Sequence, residues 1–176
     1  GAGDRESLAA RPPGGSWKSA TGWSGSPPAW CVLRDLYCST DGERSWAWKV
    51  GWDASATCVD VSAWAGVHAE RGRVVRLTLY ANGLRGRLPP SLGSLAHLRT
   101  LQLDRNALGS SIPAALGKLA GLEQLDLSRN QLGGRVPPEL GDLARLRDLD
   151  LSHNQLRGRV PPELGGLTNL ERLALA

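Results

Sequence analysis

The chain contains no Phe, no Met, two Tyr and three Cys among 176 residues. Without Phe or Met the core must be aliphatic, apart from what seven Trp contribute. Three cysteines, Cys31, Cys38 and Cys58, are too few and odd in number for the disulfide framework of a small secreted domain. If the segment after Cys31 is helical, Cys31 and Cys38 stand about two turns apart, too far for a disulfide to join them. No run of about 18 apolar residues occurs, and no basic stretch leads into an apolar one near the start, so neither a membrane span nor a secretory leader is expected. The asparagines at 82, 106, 130, 154 and 169 all lack Ser or Thr two positions on, which leaves no N-glycosylation acceptor. Charge is only mildly positive, with 21 Lys and Arg against 17 Asp and Glu for a net +4. That falls short of the cationic surface of a dedicated nucleic-acid binder, and no nucleic-acid partner is expected. These absences point to a cytoplasmic protein.

What is abundant is leucine at fixed intervals. Asn82, Asn106, Asn130 and Asn154 recur every 24 residues without an insertion. Around each the same frame returns: Leu98, Leu101, Leu103, Asn106, Leu108, Ile112, Pro113, Leu116, Gly117, Leu119, then Leu122, Leu125, Leu127, Asn130, Leu132, Val136, Pro137, Leu140, Gly141, Leu143. Units begin at Val74, Leu98, Leu122 and Leu146, and a fifth starts at Leu170. Alternation such as Leu101, Leu103 predicts a strand, and Leu116, Leu119 three apart predict a helical or 3-10 turn. One such unit cannot shelter its leucines alone, so successive units must stack. The Asn amide can both donate to and accept from main-chain groups where the strand ends and the chain bends inward.

This frame resembles the leucine-rich repeat proteins, specifically their plant-type 24-residue class with the L-x-G-x-I-P signature, found in receptor-like kinases and polygalacturonase inhibitors. The resemblance covers residues 74–176. It implies a right-handed α/β solenoid, a horseshoe with a parallel concave β-sheet and a 3-10 or irregular convex side. Ser110 stands where other units carry Gly86, Gly134 and Gly158, so this position reads as tolerant.

Residues 1–73 hold all seven Trp and all three Cys, with a Pro/Gly/Ser-rich stretch from Arg11 to Pro28. An open solenoid end would expose leucines and an unpaired strand edge, which calls for a cap at 31–73. Leu33, Leu36 and Tyr37 predict a short helix ending near Ser39-Thr40-Asp41-Gly42, with Trp46, Trp52 and Trp64 packing it onto the first repeat. Residues 1–30 are a separate segment. Trp17, Trp23 and Cys31 echo the spacing of Trp46, Trp52 and Cys58, as a degenerate second copy of the cap would.

The run through Trp46, Trp52, Cys58, Trp64 and Gly72-Arg73-Val74 resembles the class's N-terminal cap, commonly C-x-W-x-G-V-x-C. Cys58 lies too far upstream, and Ala69 replaces the second Cys, so the customary cap disulfide is expected to be missing. The L-x-x-L-Y, T-D-G and spaced Trp also resemble segments of intracellular multidomain proteins, including algal ROCO proteins, which join such repeats to a Roc-COR GTPase.

Catalysis is not expected. His97 and His153 stand apart from any nucleophile motif, and no P-loop, G-x-S-x-G or H-E-x-x-H occurs. Cys31, Cys38, Cys58 and His68 lack the spacing of a zinc site, so neither metal nor cofactor is expected. Candidate function therefore rests on surface. Outward strand positions form columns: Thr78, Gln102, Asp126, Asp150; then Tyr80, Asp104, Ser128, Ser152; then Ala81, Arg105, Arg129, His153. Mixed charge and the exposed aromatic Tyr80 suit a protein or peptide partner. A second array, Arg85, Arg87, Arg135, Arg157 and Arg159, flanks the signature Gly and could attract an acidic domain or an anionic glycan. Residues 74–176 hold 13 basic and 9 acidic side chains and residues 1–73 hold eight of each, so the excess charge lies on the repeats.

The expected function is non-enzymatic protein recognition, as the sensor arm of a larger signalling or immune-type protein such as a ROCO GTPase, whose other domains are further partners. The alternative is an extracellular receptor ectodomain or polygalacturonase-inhibitor-like protein that binds a glycan or secreted enzyme. Ending at Leu173-Ala174-Leu175-Ala176, within a repeat, the chain is expected to continue in a longer protein.

Overall fold

A computed structural model describes residues 27–52 and 61–175. The proposed second cap copy around Trp17 and Trp23, and Cys58, lie outside these residues. Helix α1 (Ala29–Ser39) follows Pro28, and the short α2 (Gly42–Ser45) comes after the turn at Thr40-Asp41. Leu33, Leu36 and Tyr37 are buried along one face of α1, as their spacing predicts. Cys31 is buried and Cys38 exposed on this helix.

The main sheet has six strands in the order β1 (Val67–Glu70), β2 (Arg73–Thr78), β4 (Thr100–Gln102), β6 (Gln124–Asp126), β8 (Asp148–Asp150), β10 (Arg172–Ala174). From β2 onward the pairing is parallel and advances by one repeat per strand: Leu77, Leu101, Leu125, Leu149 and Leu173 face one another in register. Strand β1 is antiparallel to β2, a hairpin the repeat pattern did not announce. Its two-residue turn, Arg71-Gly72, has positive φ at both positions, as the commonest hairpin turn requires.

A second parallel ladder runs along one flank, also unannounced by the leucine pattern. Strand β3 (Arg85–Arg87) pairs with β5 (Ala107–Gly109), β7 (Gly133–Gly134) pairs with β9 (Gln155–Leu156), and a bridge from Ser111 to Gly133 links the two pairs. Opposite the sheet, each P-x-x-L-G-x-L segment forms a 3-10 turn, at Pro90–Ser94, Ala114–Lys118, Pro138–Asp142 and Pro162–Gly166. A Cβ on Gly117 would come within 2.2 Å of the Glu139 carbonyl, so the signature Gly lets these turns stack.

The core is one continuous cluster of leucines running through the stack and into the cap. In the cap, Tyr37, Trp46, Trp52 and Trp64 pack in sequence, with Trp46 and Trp52 centroids 4.7 Å apart and Trp52 and Trp64 5.0 Å apart. Their polar edges are satisfied: Trp52 Nε1 donates to Ala65 O at 2.8 Å, and Trp46 Nε1 to Thr40 Oγ1 at 3.0 Å.

The asparagines tie each turn to the one before it. Asn130 Oδ1 accepts from Leu108 N at 3.0 Å, while Nδ2 donates to Leu103 O at 3.0 Å and to Leu127 O and Ser128 O at 3.1 Å. Asn106 and Asn154 repeat the arrangement. Asn82 does the same for the cap: its amide accepts from Trp48 N and donates to Trp48 O at 3.1 Å. Residues 46–48 thus occupy the place a preceding repeat would fill.

Two stability outcomes follow from this geometry. Asn130→Asp removes the donor to three carbonyls and buries a carboxylate among them, so urea unfolding should show a loss of about 3 kcal/mol. Ser110 adopts φ 69, the left-handed region its glycine counterparts occupy. The position is therefore strained rather than tolerant, and Ser110→Gly should stabilise by about 1 kcal/mol, raising Tm by about 2–4 °C.

Candidate recognition surface

The six-stranded sheet presents the face on which the sequence placed partner contacts. Thr78, Gln102, Asp126 and Asp150 lie side by side in register, each half-buried. The next column holds Tyr80, Asp104, Ser128 and Ser152; among them Tyr80 is exposed and Ser128 is buried. The third column departs from expectation. Ala81, Arg105, Arg129 and His153 have φ between 47° and 55° and sit where the chain leaves the sheet, so they are not strand positions. The regular strand is only three residues long before the Asn draws the backbone inward. Their side chains remain exposed along the rim.

A fourth column was not drawn from the sequence, although the same period-two spacing defines it: Arg76, Thr100, Gln124, Asp148 and Arg172. Arg172 bridges two carboxylates, Nε to Asp148 Oδ1 and Nη2 to Asp150 Oδ2, both at 2.9 Å. Trp48 was likewise missed. It is 43% exposed and meets Tyr80, 46% exposed, edge to face with centroids 5.5 Å apart. Its repeat-like placement by Asn82, invisible in a residue pattern, brings it there.

The carboxylates are not equivalent. Burial and the charges of Asp126 and Asp150 raise Asp104 above the ordinary carboxylate range, with Arg105 3.7 Å away offsetting only part. For Asp150, burial pushes upward but is outweighed. Ser152 donates to Oδ1 through Oγ at 2.6 Å and N at 3.0 Å, and Arg172 adds its charge, so the group is held below that range. Asp126 likewise accepts from Ser128 N at 2.9 Å. Asp104 is thus less stabilised in its charged form than Asp150.

The five flank arginines lie on one side but form two groups. Arg85 and Arg87 are on β3, and Arg135, Arg157 and Arg159 surround the β7–β9 pair. Gly109 and Ser111 of the second unit interrupt the row. Among the described residues none of the five forms an ion pair. No group of three or more His, Cys, Asp or Glu there has a metal-binding arrangement, and no helix is long and apolar enough to cross a membrane.

Two family models match the chain, both described as leucine rich repeat, over residues 73–132 and 145–167. No curated protein sequence matches the chain. Among solved structures, the BIR3–SERK2 complex from Arabidopsis thaliana is 32% identical over 82% of this chain and 78% of that one, with a TM-score of 0.72. The LRR ectodomain of the receptor kinase SOBIR1, from the same plant, is 31% identical over 82% and 76%, TM-score 0.67. The PEPR1–AtPEP1 structure is 30% identical over 80% of this chain, TM-score 0.74, and this chain spans only 20% of its length. The chain belongs to the leucine-rich repeat family. The ROCO resemblance and the cytoplasmic expectation find no support here; the relatives fit the extracellular alternative.

The two carboxylates should respond oppositely to substitution. Asp104→Asn at pH 7 should leave stability unchanged or raise it by up to about 0.5 kcal/mol, a gain that disappears once the native carboxyl is protonated. Asp150→Asn should lose about 1 kcal/mol. The contribution of Asp150 is present above the unfolded carboxylate pKa of about 3.9 and fades as pH falls through its depressed value. Denaturant titrations of both variants from pH 3 to 7 measure the contrast.

Proposed function

We propose that the chain is a non-catalytic recognition module of an extracellular protein, with residues 31–73 as cap and residues 74–176 as four repeats and part of a fifth. Its sheet face takes a peptide or an extended protein segment. The carrying observation is the juxtaposition of an exposed aromatic pair, Trp48 and Tyr80, with the partly buried carboxylate of Asp104, the next member of Tyr80's own column. Aromatic anchors supply most of the affinity at such faces, and a buried cation–carboxylate contact supplies orientation. The ligand is therefore one that pairs an apolar side chain with a nearby Arg or Lys. The relatives' organisation as receptor ectodomains supports a tethered, signalling context, in which other domains of the same protein act on the bound state.

A phage-displayed random peptide library selected on the chain provides the probe. Selected peptides should combine a basic residue with an aromatic or aliphatic one. Tyr80→Ala and Asp104→Asn should each weaken them about tenfold, the loss of roughly 1.4 kcal/mol at a contact of this kind. Affinity should also fall as pH drops from 7 through the raised range of Asp104, because the protonated group no longer attracts the cation. Peptides that bind both variants undiminished would remove this face from the function.

A further inference from the structure

At the opposite end of the strands from the Asn ladder, around the strand starts, a groove of about 370 Å³ is lined by Arg71, Arg73, His97, Arg99 and Arg145 around Gly121, with Glu70 at one end. Arg73, His97, Gly121 and Arg145 are one repeat apart from one another, so they occupy equivalent points on four successive turns. All five basic side chains are exposed. None forms an ion pair among the described residues; the acid on the rim, Glu70, lies 3.9 Å from His68 instead. This cluster is distinct from the flank arginines, and the sequence reading passed over it because its members are dispersed over 75 residues.

We propose that this groove binds an anionic polysaccharide, one bearing carboxylate or sulfate groups at regular intervals. Guanidinium forks match such groups bidentately, and like charges held together without partners create the local field that attracts a polyanion. The lining contains no Phe, Tyr or Trp, and its apolar members are only Val75 and Ala96. A folded protein would find no anchoring pocket here, whereas a charged sugar polymer needs none. The Ala96 and Leu98 carbonyls border the floor, 3.7 and 3.6 Å from where a Gly121 Cβ would stand, within reach of sugar hydroxyls. The two ends of the column, Arg73 and Arg145, are three strands apart, roughly 14 Å at about 4.8 Å per strand, with Arg71 and Arg99 beside them, a spacing suited to a linear polymer whose charges recur at intervals.

Gly121 makes the test direct, because a side chain there meets only ordinary contacts and the fold should tolerate it. Binding of polygalacturonate and heparin to the whole chain would be measured by calorimetry in 0.15 M salt, with neutral dextran and duplex DNA alongside. At least one anionic polysaccharide should bind, dextran should not, and duplex DNA should bind at least tenfold more weakly. The Arg73→Ala/Arg145→Ala pair should reduce polysaccharide affinity about tenfold, and Gly121→Glu should abolish it. Gly121→Arg, which completes the column, should strengthen binding severalfold. The charge-matched pair Arg135→Ala/Arg159→Ala on the flank, and Tyr80→Ala on the sheet, should leave it unchanged. Equal losses from both arginine pairs, indifference to Gly121→Glu, DNA binding as tight as the sugar, or no polyanion binding at this salt would each overturn the assignment.

Discussion

From the cap through the third repeat, each turn leaves main-chain groups buried where its strand gives way to the inward bend, and an asparagine amide from the following turn satisfies them. Such groups would otherwise be stranded away from water at a cost no single leucine repays. The amide alone among side chains of this size supplies two donors and an acceptor. Because the donor to one turn belongs to its neighbour, no turn is complete by itself, and cooperativity is built into the polar network as well as the leucine stack. The cap enters the same network through Asn82, which is why residues with no repeat pattern can still terminate the array.

Much of this was legible in the sequence. The 24-residue recurrence fixed the strand, the 3-10 turn and the burial of Leu101, Leu103, Leu116 and Leu119, because both periods follow from which residues must avoid water. The cap helix was equally plain, since Leu33, Leu36 and Tyr37 mark one helical face. The flank ladder was not. Its residues, Ala107 to Gly109 or Gly133 and Gly134, are held by backbone bonds that no side-chain periodicity records. The β1 hairpin was hidden for the same reason, although Arg71-Gly72 offers a turn signal.

The candidate face was legible only in part. Register placed Gln102, Asp126 and Asp150 together correctly, as any strict repeat would. It erred at Arg105, Arg129 and His153 by extending the alternation past the point where Asn turns the chain left-handed. Trp48 required knowledge of how the cap docks, and the groove around Gly121 required residues from four turns to be seen at once. Charge also misled: the overall excess lies on the repeats, yet two of the four groove arginines, Arg71 and Arg73, belong to the balanced first 73 residues.

Trp48 is held by its backbone against Asn82 while its indole projects outward, clear of the aliphatic interior. One of the two exposed aromatics at the edge of the sheet face is thus donated by a segment that carries none of the solenoid's own leucines. If the proposed recognition face holds, exchange of a few amino acids around this indole would retune its preference without disturbing the periodic scaffold behind it. The least regular stretch of the chain becomes the part freest to diversify.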